Sequence, residues 1–248
     1  MRIGRMTAWT GVVLLAAAML AGAGMYVLST LSPQAYAPAV LDDALQTQVA
    51  QAFLTERVMD GFGNRVEEGS PFSWSIRDQA CNDILASMDE IAFQLDGQGG
   101  RQKLVEQALR DQGISSPAVR FQDGRITLMV FSDSYNRVLS MDIGLSLDGR
   151  GRLHADVAGA RVGRLPVPVS FVRDELAALR EALPREAGPA EMATISPDDF
   201  AHVLGQVLGA LDGETIDPVF VWPGNKRSVR VTGLRIAEGE LTLQFTPL

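Results

Sequence analysis

The chain has 248 residues, with 30 acidic and 22 basic side chains and a formal net charge of −8. Apolar residues make up 46% and charged residues 21%, the composition of a folded chain rather than a disordered one. A single cysteine, Cys81, excludes an intrachain disulfide framework and any multi-cysteine metal centre. The two histidines, His154 and His202, leave little for a histidine-rich metal site, and the acidic balance argues against a general nucleic-acid binder.

The strongest signal is at the amino terminus. Arg2 and Arg5 are the only charges before Asp42. From Ala8 to Leu31 the chain is nearly all apolar, long enough for a helix that spans a membrane. Trp9 and Tyr26 suit the two interfaces, and the arginines place residues 1–5 in the cytoplasm. Without Arg2 and Arg5, 20 basic and 30 acidic residues remain, a net −10 for everything downstream. The alternative is a cleaved signal peptide, with Ala21-Gly22-Ala23 as a small-x-small site. The apolar run continues past that site through Leu28, which favours an uncleaved anchor. Both readings export the rest of the chain, and an oxidising compartment fits the near absence of cysteine. Three parts follow: a cytoplasmic tip and transmembrane signal anchor over 1–31, a stalk and juxtamembrane helix over 32–71, and an exported domain over 72–248.

Pro33 and Pro38 make the stalk irregular at first. Leu41, Leu45, Val49, Phe53 and Val58 are then spaced about one helical turn apart, with Gly61 and Gly63 expected to end the helix. Phe72 to Ile76 is short, aromatic and alternating, and reads as a strand or a lead-in. Ser75 and Asp78 have the form of a capping box for one helix of about five turns, Ile76 to Leu95. Cys81 lies beside its apolar stripe and reads as a core residue. Asn82 is unusual in a helix interior and is expected to bridge to a neighbouring element. After Gly97, Gly99 and Gly100, residues 101–112 read as a further helix ended by Gly113.

From Pro117 the apolar period changes from helical to alternating. Asp123-Gly124 and Asp148-Gly149 each turn one pair of four strand segments, and residues 117–163 read as an antiparallel meander. Leu139, Met141, Ile143, Leu145 and Leu147 share one face of it. A helix from Pro168 to Leu183 and another from Ser196 to Leu211 follow, the second with a strong start at Ser196-Pro197-Asp198-Asp199. The chain closes on strands around Val219–Trp222, Ser228–Val231 and Leu241–Phe245. The expected fold is α+β: an amino-terminal transmembrane helix, then one curved antiparallel meander sheet packed against amphipathic helices.

No phosphate loop, paired zinc ligands, nucleophile elbow or calcium loop is present in the sequence. The carboxylates Asp78, Asp83, Asp89 and Glu90 crowd one helix and read as solvated surface. His154 has no partner motif, and no cofactor or metal is expected. Arg161 and Arg164, with Arg150 and Arg152 nearby, form the one local basic patch, suited to lipid headgroups or a protein partner.

Three features together resemble the YpmS-like family of membrane-anchored exported bacterial proteins. They are the single anchor, Cys81-Asn82 where that family has Leu-Asn in an early helix, and Gly163-Arg164-Leu165-Pro166-Val167-Pro168 after a sheet. The closing Leu241-x-Leu243-x-Phe245 is of the family's kind. The resemblance covers most of residues 70–248. The chain departs from it at Ser75 and Cys81, where threonine and leucine are common, and in extra residues at 184–195. The family has no established reaction, and its likeness to elongated lipid-binding folds is an analogy. What it implies is a non-enzymatic, membrane-tethered envelope protein that binds a lipid or other apolar envelope component. A groove for it would be lined by Ile84, Met88, Ile91, Leu139, Met141, Ile143, Phe200, Leu204 and Leu208, with Arg161 and Arg164 at headgroups. The alternative is an accessory protein that binds another envelope protein.

Overall fold

The computed structural model describes residues 18–96, 104–170, 209–222 and 226–248. The fold is α+β with two antiparallel sheets where the sequence pattern suggests one. A five-stranded meander runs β2 (Ile114–Gln122), β3 (Arg125–Ser132), β4 (Arg137–Leu147), β5 (Leu153–Val162), β6 (Leu165–Val167). A four-stranded sheet has the order β1-β9-β8-β7, from β1 (Phe72–Arg77), β7 (Val219–Val221), β8 (Ser228–Ala237) and β9 (Glu240–Pro247). The second sheet escapes local pattern reading because β1 pairs with the carboxyl-terminal strand, Phe72 opposite Phe245 and Arg77 opposite Glu240.

Residues 18–30 are helical (α1), and residues 8–17 of the expected span lie outside the described residues. Among the described residues no helix is long and apolar enough to cross a membrane. Within α1, Met19, Leu20, Met25, Tyr26, Val27 and Leu28 are all exposed. The end of α1 is fastened to the meander. The Arg164 amide donates to the Leu28 carbonyl (2.8 Å), and the Arg164 guanidinium donates to the Ser32 carbonyl (2.9 Å). Gly163 makes this join possible. Its φ is +59°, and a Cβ there would collide with the Ser29 and Leu31 carbonyls. The segment then turns, and Ala35 and Tyr36 pack on Ala118, Met129 and Val138 of the meander.

The next helix is longer than its glycines suggest. It runs without a break from α2 (Asp43–Gln51) through a π-helical stretch (Ala52–Gly63) into α3 (Asn64–Glu68). Gly61 and Gly63 fall inside it, and the chain leaves the helix at Gly69 in the left-handed region. Asp42 caps the start by accepting from the Leu45 amide, and Arg227 caps the end by donating to the Val66 and Glu67 carbonyls. Phe62 and Val66 press into the four-stranded sheet. Phe62 meets Phe72 and Phe245 edge-on at ring separations of 5.2 and 4.9 Å, with Trp222 and Phe220 alongside.

The expected five-turn helix is two helices, α4 (Asp78–Ala86) and α5 (Met88–Asp96), broken at Ser87. Ser75 is not a cap. It lies in β1, its hydroxyl bonded to that of Thr242, and the cap position falls to Arg77 without a side-chain bond. Asn82 does bridge. Its amide donates to the Val119 carbonyl (3.1 Å) and its oxygen accepts from the Val119 amide (2.7 Å). β2 is an edge strand, so Asn82 satisfies both groups that the meander leaves unpaired there. Further along the same edge, the Gly239 amide donates to the Phe121 carbonyl, and the Gly124 amide donates to the Ile236 carbonyl. These bonds stitch the two sheets together over a core of Ile76, Phe121 and Ile236, with Ala80, Cys81 and Ile84 packed against it. A separate core of Ile143, Ala155, Val157, Ala210 and Leu211 closes the apolar face of β4 and β5.

The meander therefore has two distinct ends. α1 joins it where β4 begins and β5 ends, and the second sheet joins it at the β2–β3 hairpin. Arg125 of that hairpin pairs with Gly144, so the stretch of β4 from Arg137 to Gly144 separates the two joins by about 24 Å. Asn82→Leu should lower stability by about 2 kcal/mol in denaturant unfolding, because Val119 is left with two unsatisfied groups. An unchanged midpoint would show that water serves that edge equally well.

Candidate functional site

Near the α1 end, the chain leaves an open cleft of about 510 Å³. One wall is the segment Pro38–Leu41 with Asp43 and Gln46 of α2, and another is Leu85 to Glu90, at the junction of α4 and α5. Val105, Glu106, Leu109 and Arg110 of α6 (Leu104–Asp111) and Ser115–Pro117 of β2 complete it. The volume lies within the range of small-molecule sites. Apolar groups from Val40, Leu41, Leu85, Met88, Val105 and Leu109 supply much of the wall.

Carboxylates organise this region instead of lining a wet helix face. Asp89 accepts from the Val105 and Glu106 amides (2.7 and 3.1 Å), so α5 caps the first turn of α6. Glu90 is buried and accepts from the Gln94 side-chain amide. Glu106 pairs with Arg110 across one turn. The cleft wall is thus a helix pair locked by hydrogen bonds.

The sequence-derived groove residues go to several places. Met88 lines the cleft. Ile84 packs on Phe121 and lines a smaller pocket of about 150 Å³ with Val49, Phe53, Trp74 and Ile76. Ile91 is half-buried on α5. Leu139 and Met141 are half-buried on β4, Met141 against the core in which Ile143 is buried. Phe200, Leu204 and Leu208 lie outside the described residues, as does His202. The sequence pattern does not single out the cleft residues Val40, Leu41, Val105 and Leu109. Val105 and Leu109 show as the apolar side of their helix, but nothing local marks where that side faces.

The arginines separate as well. The Arg161 guanidinium donates two hydrogen bonds to the buried carboxylate of Asp142 (2.7 and 3.3 Å), which also accepts from the Thr127 hydroxyl. Its charge is neutralised inside the domain. Among the described residues Arg164 is bound through carbonyls at the end of α1, and it stays exposed. Arg150 and Arg152 are at the far end of the meander. There Asp148 accepts from both of their amides and from the Arg152 and His154 side chains. These bonds hold the Asp148 carboxyl well below the usual range, the Arg152 amide contributing most. That is the chemistry of a tied turn. Among the described residues no group of histidine, cysteine and carboxylates is placed to hold a metal ion.

Burial, and then the charge of Asp78, push the Cys81 thiol up to about 11. At pH 8 it should hold about a hundredfold less thiolate than an unshifted thiol, so iodoacetamide should modify it correspondingly slowly in the folded chain. Modification at the rate of a free thiol would contradict this packing. Stability from Cys81 is full below the unfolded thiol's value near 9 and falls as pH rises towards 11. No protein-family model matches the chain, no curated protein matches it, and no solved structure matches it.

Proposed function

We propose that this chain is a non-enzymatic, single-pass protein of the cell membrane, related in kind to the YpmS-like proteins. Its folded part stands on the extracytoplasmic side and holds a lipid in the cleft beside its anchor. The position of the cleft carries this reading. Its floor includes Ser115–Pro117 at the start of β2, and the Tyr36 hydroxyl donates to the Ser116 carbonyl (2.9 Å) a few residues beyond α1. A cleft with an apolar wall then opens at the membrane face of the domain, where an acyl chain reaches it without crossing water. The exposed, almost uniformly apolar surface of α1 supports the same orientation, since such a helix is stable in a hydrocarbon environment.

The full chain in lipid nanodiscs that contain a photoactivatable phospholipid tests this. Crosslinks should map to 85–89, to 105–110 and to 38–41, as well as to the anchor. Met88→Asp should abolish the crosslinks at 85–89 and 105–110 while the thermal transition persists, because an acyl chain cannot bury an unpaired carboxylate. Crosslinks confined to residues 8–31 would contradict lipid binding and leave the cleft to a protein partner.

A further inference from the structure

We propose that the α1 end of the meander is a headgroup collar, which seats the domain on an anionic lipid surface through Tyr26, Tyr135, Arg137 and Arg164. The proposal rests on the reading of α1 as the membrane anchor and adds the leaflet chemistry that the domain recognises.

The first observation is the distribution of tyrosine. The chain has three, Tyr26, Tyr36 and Tyr135, and all are at this end. Tyr26 is on α1 and is 66% exposed. Tyr135 is in the β3–β4 turn and is 67% exposed. Tyr36 packs beneath, bonded to Ser116. The opposite end of β4, about 35 Å away along the strand, has no tyrosine. Tyrosine is a side chain of the membrane interface, with an apolar ring and a polar tip.

The second observation is the placement of positive charge. The Arg137 guanidinium lies over the Tyr26 ring at 5.9 Å from its centroid. Arg164 is fixed to Leu28 and Ser32. Along the helix axis the Leu28 carbonyl stands about 3 Å beyond Tyr26, and Ser32 follows just after α1 ends. The headgroup layer of one leaflet is about 5–7 Å thick. With Tyr26 at the interface, Arg164 is therefore held at the depth of the phosphates. Neither Arg137 nor Arg164 has a carboxylate partner among the described residues, whereas Arg161 is neutralised by Asp142. Several carboxylates share this end. Asp133 lies in the β3–β4 turn with Tyr135 and accepts from the Ser115 hydroxyl, Asp111 ends α6, and Asp43, Asp89, Glu90 and Glu106 stand around the cleft. The basic pair is held against α1 itself, Arg164 by its bonds to Leu28 and Ser32 and Arg137 by the Tyr26 ring, on a chain whose remaining charge is strongly negative. A zwitterionic surface offers the tyrosines a place but gives the arginines no net attraction.

The test uses the full chain in nanodiscs of phosphatidylcholine alone and of phosphatidylcholine with phosphatidylglycerol. Hydrogen exchange is followed in 133–138 and 161–166. Each arginine near an anionic surface is worth about fivefold, so protection should rise up to about 25-fold in the anionic discs and fall as salt is added. Arg137→Gln with Arg164→Gln should remove that difference, and Arg137→Lys with Arg164→Lys should keep most of it. Equal exchange in the two discs, with the chain inserted in both, would overturn the collar and leave the anchor standing. Failure to insert in either disc would instead overturn the anchor, and the collar with it.

Discussion

The structure depends on a main-chain join between an apolar helix and a sheet. Leu28 and Ser32 have carbonyls left over at the end of α1, where the helical ladder has run out. Arg164 meets both, one with its amide and one with its guanidinium. Only glycine fits at 163, where the turn must be left-handed and the helix end passes against it. The Gly163 amide in turn donates to the Val138 carbonyl, tying the join into the meander. A flexible stalk would let the domain point anywhere. This join fixes which end of the meander lies next to α1, and so fixes where the cleft and the basic residues stand.

The rest of the fold extends away from that join. The meander carries polar and apolar faces along its length, and its far hairpin is bonded to the second sheet through Phe121, Gly124, Ile236 and Gly239. Asn82 closes the one edge position, Val119, that lies between α4 and the sheet junction. The long helix from Asp43 to Glu68 runs across to the second sheet and buries Phe62 and Val66 there. Its π-helical middle rotates the later turns relative to the earlier ones, so one continuous helix presents Val49 and Phe53 to the Ile84 pocket and Phe62 to the aromatic cluster. The cleft wall near α1 is locked by Asp89 and Glu106, so it is preformed.

Much of this is legible in the sequence wherever the controlling interaction is local. The alternation of Leu139, Met141, Ile143 and Leu145, and the Asp-Gly turns, give β2 to β5 with nearly the right bounds. The mid-helix asparagine announces a tertiary bond because no isolated helix favours it. What stays hidden depends on distant partners. Phe72–Ile76 reads equally as a strand or a lead-in until β9 pairs with it. Ser75 has the spacing of a cap, but Thr242 takes its hydroxyl. Gly61 and Gly63 look like terminators, yet Phe62 between them is the centre of the aromatic cluster, and tertiary packing overrides their propensity. Within the basic patch, charge alone does not separate Arg161 from Arg164. The buried carboxylate of Asp142 does so, and it becomes visible only when β4 and β5 lie side by side.

The central claim is that the domain stands on the membrane with the α1 end down. Nitroxide labels at Ser134→Cys and at Arg150→Cys, each in a Cys81→Ser background, test it in nanodiscs that carry a headgroup-bound paramagnetic relaxer. The account predicts strong relaxation of the label at 134 and little at 150, the two sites being about 35 Å apart along the meander. Equal relaxation at both sites would show that the domain lies flat or tumbles, and would contradict the join as its mounting.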